Sequence, residues 1–153
     1  MNLEKAMKNS ERNSGHTVQG HVDGTGTISG LVQEGASLRV TISTRSLSKD
    51  ENVRKYMNSL IVPKGFICVD GASLTVCEVN KREEWFTLMM IPHTIKVLKK
   101  WNVGDSVNIE LDCLAKYVSS LINRDDFEIR LARLELCLCV VAFVCVAALI
   151  RRY

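Results

Sequence analysis

Six of the 153 residues are cysteine, yet no CxxC pair occurs, and no signal-peptide pattern opens the sequence. Three of the six, Cys137, Cys139 and Cys145, fall in one apolar tail, apart from Cys68, Cys77 and Cys113. That spacing suits neither a disulfide framework nor a zinc site. It points to a reducing compartment, the cytoplasm first, or an organelle if a further segment precedes Met1. No GxGxxG loop leads into a helix, which excludes the dinucleotide fingerprint. Charge of one sign is also scarce. The net charge is +3 and scattered, too little to define a nucleic-acid surface.

The residues that are present make an ordinary globular mix, 46% hydrophobic and 24% charged, enough for one domain with a core. Residues 15 to 115 alternate short β-branched runs with turn residues: HVDGTGTI, GASLRVTI, GFICVDGASLTV, EWFTLMMI and GDSVNIELD. This pattern predicts an all-β fold, a small barrel or sandwich. One stretch breaks the pattern. In KDENVRKYMNSLI, residues 49–61, Val53, Tyr56, Met57, Leu60 and Ile61 recur at helical spacing, and Pro63 follows.

Past Asp112 the pattern becomes helical, with apolar residues at 114, 117, 118, 121 and 122. Such a helix packs either on the barrel or on a partner chain. Residues 136–150, LCLCVVAFVCVAALI, then form an apolar block. As a helix it would reach about 22 Å, short of the roughly 20 residues that a bilayer span needs. A tail anchor, a buried oligomer contact and a misread gene end all remain readings of it.

The stretch PKGFICVDGASLTV, residues 63–76, is the most informative. Asp-Gly between two apolar runs signals a hairpin with a type I′ turn. Val69 then faces Ala72, Cys68 faces Ser73, Ile67 faces Leu74, and Phe66 faces Thr75. Alternation gives one core face of Ile67, Val69, Ala72, Leu74 and Val76. The other face holds Lys64, Phe66, Cys68, Ser73, Thr75 and Cys77. A lysine, two hydroxyls and an aromatic together could hold a flat heterocycle, or could be a plain outer face. His16 and His21 stand five apart with no acidic or cysteine cluster beside them, a weak metal signal. Gly20, Gly24 and Gly26 allow a close approach of backbone to a ligand. Spacing alone places no Ser/His/Asp set.

Several motifs together resemble the C-terminal half of the riboflavin synthase family. They are Gly15-His16-Thr17-Val18-Gln19-Gly20-His21-Val22-Asp23-Gly24-Thr25-Gly26, Lys64-Gly65-Phe66-Ile67 running into Asp70-Gly71-Ala72-Ser73-Leu74-Thr75-Val76, then Ile91-Pro92-His93-Thr94, and finally Gly104-Asp105-Ser106-Val107-Asn108-Ile109-Glu110-Leu111-Asp112 into Ala115-Lys116-Tyr117. The likeness spans about residues 1–118. It implies a six-stranded Greek-key lumazine-binding barrel over 15–115 and a C-terminal helix over 116–135; the apolar tail over 136–153 comes from the residues themselves. It implies a homotrimer with active sites between one subunit's first barrel and a neighbour's second. Each site would hold two molecules of 6,7-dimethyl-8-ribityllumazine and yield riboflavin, with no metal or organic cofactor. By the same resemblance, Gly20, His21, Val22, Lys64, Ser73, Leu74 and Thr75 line the pocket. Met90, Ile91, Pro92, His93, Thr94 and Ile95 form a facing strand. His21, Ser73 and Asp112 are the catalytic candidates, with His21 the proton carrier and Asp112 directed to the ribityl hydroxyls or the proton relay.

The sequence also departs from the family. Its first barrel is missing. Asn2-Leu3-Glu4 echoes Asn108-Ile109-Glu110, so residues 1–14 are expected to be a remnant of the strand that closes a preceding barrel. Ser14 stands where the family tends to have glycine, and the tail after about residue 134 is unlike the family's.

Overall fold

The computed structural model describes residues 15–98 and 100–122. The expected remnant 1–14, the helix beyond residue 122 and the tail 136–153 lie outside those residues. Six strands form a closed antiparallel barrel: β1 (Gly24–Glu34), β2 (Ser37–Ser43), β3 (Phe66–Val69), β4 (Ala72–Asn80), β5 (Trp85–Met90) and β6 (Ser106–Leu111), in the spatial order β1-β2-β5-β4-β3-β6. Strands β3, β4 and β5 are a meander, and β6 returns to lie beside β3. That is the Greek-key arrangement, the fold expected from the sequence.

Strand β1 closes the barrel by serving two neighbours. Its first residues, Gly24 to Thr27, pair with Ile109 to Ser106 on β6, and from Thr27 onward it pairs with β2. The register shifts between Ile28 and Gly30, a bulge that lets a long strand bend from one partner to the other. Gly26 is needed for space. A Cβ there would stand 2.6 Å from Ile109 Cδ1 and 2.7 Å from Ile42 Cγ2.

The interior is filled by Ile28, Val40, Ile42, Ile67, Val69, Val76, Phe86, Leu88, Val107 and Ile109, all nearly inaccessible. Burying each stabilises by about 1.5–3 kcal/mol. The hairpin of β3 and β4 has the register expected from Asp-Gly, from Val69↔Ala72 to Phe66↔Thr75. Asp70 and Gly71 have φ of 49° and 86°, the two left-handed residues of a type I′ turn. Asp70 also locks the turn to the rest of the barrel. It accepts Trp101 Nε1–H at 3.1 Å and Asn108 N–H at 2.8 Å, and its own N–H donates to Asn108 O at 3.0 Å.

Helix α1 (Glu51–Ser59) replaces a direct link between β2 and β3. Asp50 caps it by accepting from Asn52 N at 2.8 Å and Val53 N at 3.2 Å. Of its apolar stripe, Met57 and Ile61 are buried while Val53 and Tyr56 are exposed. The helix therefore meets the core only at its C-terminal end, where Lys81 Nζ donates to the carbonyls of Asn58 and Ile61. Helix α3 (Cys113–Leu121) starts three residues earlier than the domain boundary expected at 116. Asp112 Oδ1 accepts Leu114 N–H at 3.0 Å and so starts the helix there. Among the described residues no helix is long and apolar enough to cross a membrane.

Candidate functional site

The outer face of the β3–β4 hairpin carries Phe66, Cys68, Ser73 and Thr75, as alternation predicts. Phe66 and Thr75 are exposed and Ser73 is partly covered, yet Cys68 is only 2% accessible. Its cross-strand neighbours Ser73 and Glu110 are both hydrogen-bonded by chain segment 15–23, which has neither helix nor strand of its own and is tied to the barrel at three places. At the first, His16 Nδ1 lies 2.7 Å from Ser73 Oγ, and His16 N–H donates to the same oxygen at 3.3 Å. The His16 ring also stacks on Phe66, with centroids 5.2 Å apart and planes 12° apart. At the second, Gln19 N–H donates to Glu110 Oε1 at 2.7 Å. At the third, Asp23 N–H donates to Ile109 O at 2.9 Å, while Asp23 Oδ2 accepts Leu111 N–H at 2.8 Å and Lys116 Nζ at 2.7 Å.

This strap holds Gly20, His21 and Val22 between its second and third ties. All three are exposed, and Gly20 has φ 77°. His21 is therefore presented at the surface on a fixed piece of chain. Lys64 is also exposed, with φ 64°. Pro63 precedes it and Gly65 N–H donates to Val62 O at 3.0 Å, so Lys64 fills the third position of a tight turn. Glycine or asparagine usually takes that position when φ is positive.

The other expected site residues sit differently. Leu74 faces inward and packs against the core, and Met90 is buried in it. Ile91 to Ile95 do not continue a strand. Ile91 is the N-cap of α2 (Pro92–Val97), with Pro92 in the first turn. Proline lacks the N–H of a ladder and has φ pre-set for a helix start, so the strand ends at Met90. Strand β5 runs antiparallel to β4, so its exit and the exposed Ile91, Pro92 and His93 lie toward the start of β4, where Ser73 is. Asp112 is partly buried and its carboxylate serves as the cap of α3.

Two members of this site carried no signal in the sequence as site residues. Glu110 alternates with Asn108 and Ser106 on the outer face of β6, the pattern of solvated residues, but is 4% accessible. The strap, 91 positions away in the chain, reaches it through the Gln19 N–H. Burial, with Glu110 next in importance, pushes the Cys68 thiol up to about 11 from 9.0. Cys68 is thus a neutral thiol and a poor nucleophile at neutral pH. His16 was visible as one of two histidines, but nothing local placed it against Ser73.

The described residues thus form a closed Greek-key barrel of the all-β class, with a strapped, mixed polar and aromatic outer face. The family model described as lumazine binding domain matches residues 19–112, and the chain belongs to that family. It is 41% identical over 124 residues to a riboflavin synthase of Schizosaccharomyces pombe, covering 80% of this chain and 55% of that protein. It is 40% identical over 124 residues to a riboflavin synthase of Meyerozyma guilliermondii, covering 80% and 48%. The chain thus spans about half the length of these curated relatives. Among solved structures, the crystal structure of LumP complexed with 6,7-dimethyl-8-(1'-D-ribityl) lumazine matches with TM-score 0.49 and 20% identity, covering 63% of this chain and 48% of that one.

Proposed function

We propose that this barrel is the lumazine-binding half of a riboflavin synthase. The reaction converts two molecules of 6,7-dimethyl-8-ribityllumazine into riboflavin and 5-amino-6-(ribitylamino)uracil. The observation that carries this reading is the identity of about two residues in five, over 124 residues, with proteins named riboflavin synthase.

The chemistry suits the face. The methyl group at C7 of a lumazine is acidic, because the ring delocalises its anion. The protein must hold two rings in register and move protons, which is mainly orientation with modest acid–base help. Phe66 and the His16 ring supply flat surface, Ser73 and Thr75 supply hydroxyls, and Lys64 supplies a cation for a carbonyl or ribityl oxygen. His21, exposed on the strap, is the proton carrier in this reading. Partner copies enter it too. Leu114, Tyr117, Val118, Leu121 and Ile122 form an exposed apolar stripe, which supports a homo-oligomer, a trimer by family likeness. A second reading is a module that holds lumazine or flavin without turnover.

Fluorescence titration of the full chain with 6,7-dimethyl-8-ribityllumazine, followed by assay for riboflavin, separates the two. Binding with riboflavin formation supports the synthase, and binding alone supports the module. No binding overturns both. Ser73→Ala should weaken binding by about 1–3 kcal/mol, as a lost partner of a polar ligand; an unchanged affinity would remove Ser73 from the site.

A further inference from the structure

Ser73 is not waiting free for a ligand. Its hydroxyl oxygen already has two nitrogens of one residue against it, His16 N at 3.3 Å and His16 Nδ1 at 2.7 Å. The approach is built for closeness, since a Cβ on the neighbouring Gly15 would stand 2.6 Å from Ser73 Oγ. The far nitrogen of the ring, His16 Nε2, is buried and has no hydrogen-bond partner among the described residues. The ring itself is pinned flat on Phe66.

These contacts determine which way the serine proton points. A hydroxyl has one proton and two lone pairs. The main-chain N–H of His16 uses one lone pair. Nε2 stays without a partner among the described residues in either neutral tautomer, and an orphaned buried N–H is kept more rarely than an orphaned buried acceptor, which favours the proton on Nδ1. With the proton on Nδ1, the ring donates into the second lone pair of Ser73 Oγ. The serine O–H is then the one group left over, and it points away from the strap.

We infer that His16 is a positioning residue of the ligand site. It donates from Nδ1 to Ser73 and so makes Ser73 a hydrogen-bond donor aimed at a carbonyl oxygen of the bound heterocycle. This rests on the reading that the outer face holds a lumazine. It deepens that reading by assigning the direction of one hydrogen bond and the class of ligand atom that receives it. Neither Phe66, which supplies only a face, nor Thr75 can set that direction.

Two measurements on the full chain test it. The first is a long-range proton–nitrogen correlation spectrum of the ligand-free protein labelled with 15N-histidine. The His16 signals are assigned by their loss in His16→Asn. The Nδ1–H tautomer is expected, and the Nε2–H tautomer would overturn the inference. The second is titration of variants with 6,7-dimethyl-8-ribityllumazine. Asparagine places an amide nitrogen where histidine has Nδ1, so His16→Asn should bind within about threefold of the unaltered chain. His16→Phe keeps the stack but cannot donate, and should lose about tenfold. Ser73→Ala added to His16→Phe should then cost little more, because the two act as one unit. Equal affinity in His16→Phe and the unaltered chain, with matching circular dichroism, would also overturn it. If the unaltered chain binds no lumazine, the functional reading fails, and the tautomer still decides what His16 does to Ser73.

Discussion

The carboxylate of Glu110, buried on the outside of the barrel, accepts the main-chain N–H of Gln19 at 2.7 Å. One residue of strap separates that tie from His21. Removing the carboxylate leaves the Gln19 amide without its acceptor and frees the Gly20–Val22 edge. Glu110→Ala should cost about 1–3 kcal/mol of stability. Hydrogen exchange at the Gln19 amide should quicken by more than the global change in stability accounts for. Exchange that follows global stability alone would show that the strap is held elsewhere.

Lys64 offers a case in which fold and site pull in opposite directions. Its φ of 64° strains any residue with a Cβ, by about 1–2 kcal/mol. Lys64→Gly relieves that strain but gives back some of the gain as unfolded-state entropy, so it should leave stability equal or slightly raised. It should still weaken lumazine binding as much as Lys64→Ala does. Thermal melts and titrations on the same samples check both halves.

Asp70 holds a left-handed turn position and accepts two hydrogen bonds, from Trp101 Nε1 and Asn108 N. Asp70→Ala loses both and keeps the φ penalty, for an expected loss of about 2–4 kcal/mol in urea unfolding. Asp70→Asn tolerates the φ and keeps an acceptor, so it should lose markedly less. Equal losses would mean that the turn geometry contributes nothing.

The Cys68 thiol, raised by burial to about 11 from 9.0, makes stability depend on alkaline pH. Below pH 9 the thiol is neutral in both states and its contribution is fully present. Between pH 9 and about 11 the unfolded chain ionises while the folded one does not. Stability should therefore fall across that window by about 2–3 kcal/mol, at about 1.4 kcal/mol per pH unit. Cys68→Ala should flatten this part of the profile relative to the unaltered chain. Alkylation by iodoacetamide at pH 8 should leave Cys68 unmodified in the folded state.

The local part of this molecule is written in its sequence. Alternation and the Asp70-Gly71 pair carry the hairpin, its register and its two faces, because a strand's side-chain period and a type I′ turn depend only on neighbouring residues. The helix over 51–59 follows in the same way from spacing and from Asp50 as its cap. The helix at 92–97 was as local, but the family likeness drew that segment as a strand, and Pro92 overrules it. Ser73 on the outer face was legible; what it touches was not. The contacts of His16 with Ser73 and Phe66, and of Gln19 with Glu110, join residues 50 or more positions apart. Only barrel closure, with β1 between β6 and β2, lays the strap across the hairpin. Tertiary structure alone thus turned a solvated glutamate into a buried anchor, a surface cysteine into a neutral buried thiol, and an isolated histidine into the partner that aims Ser73.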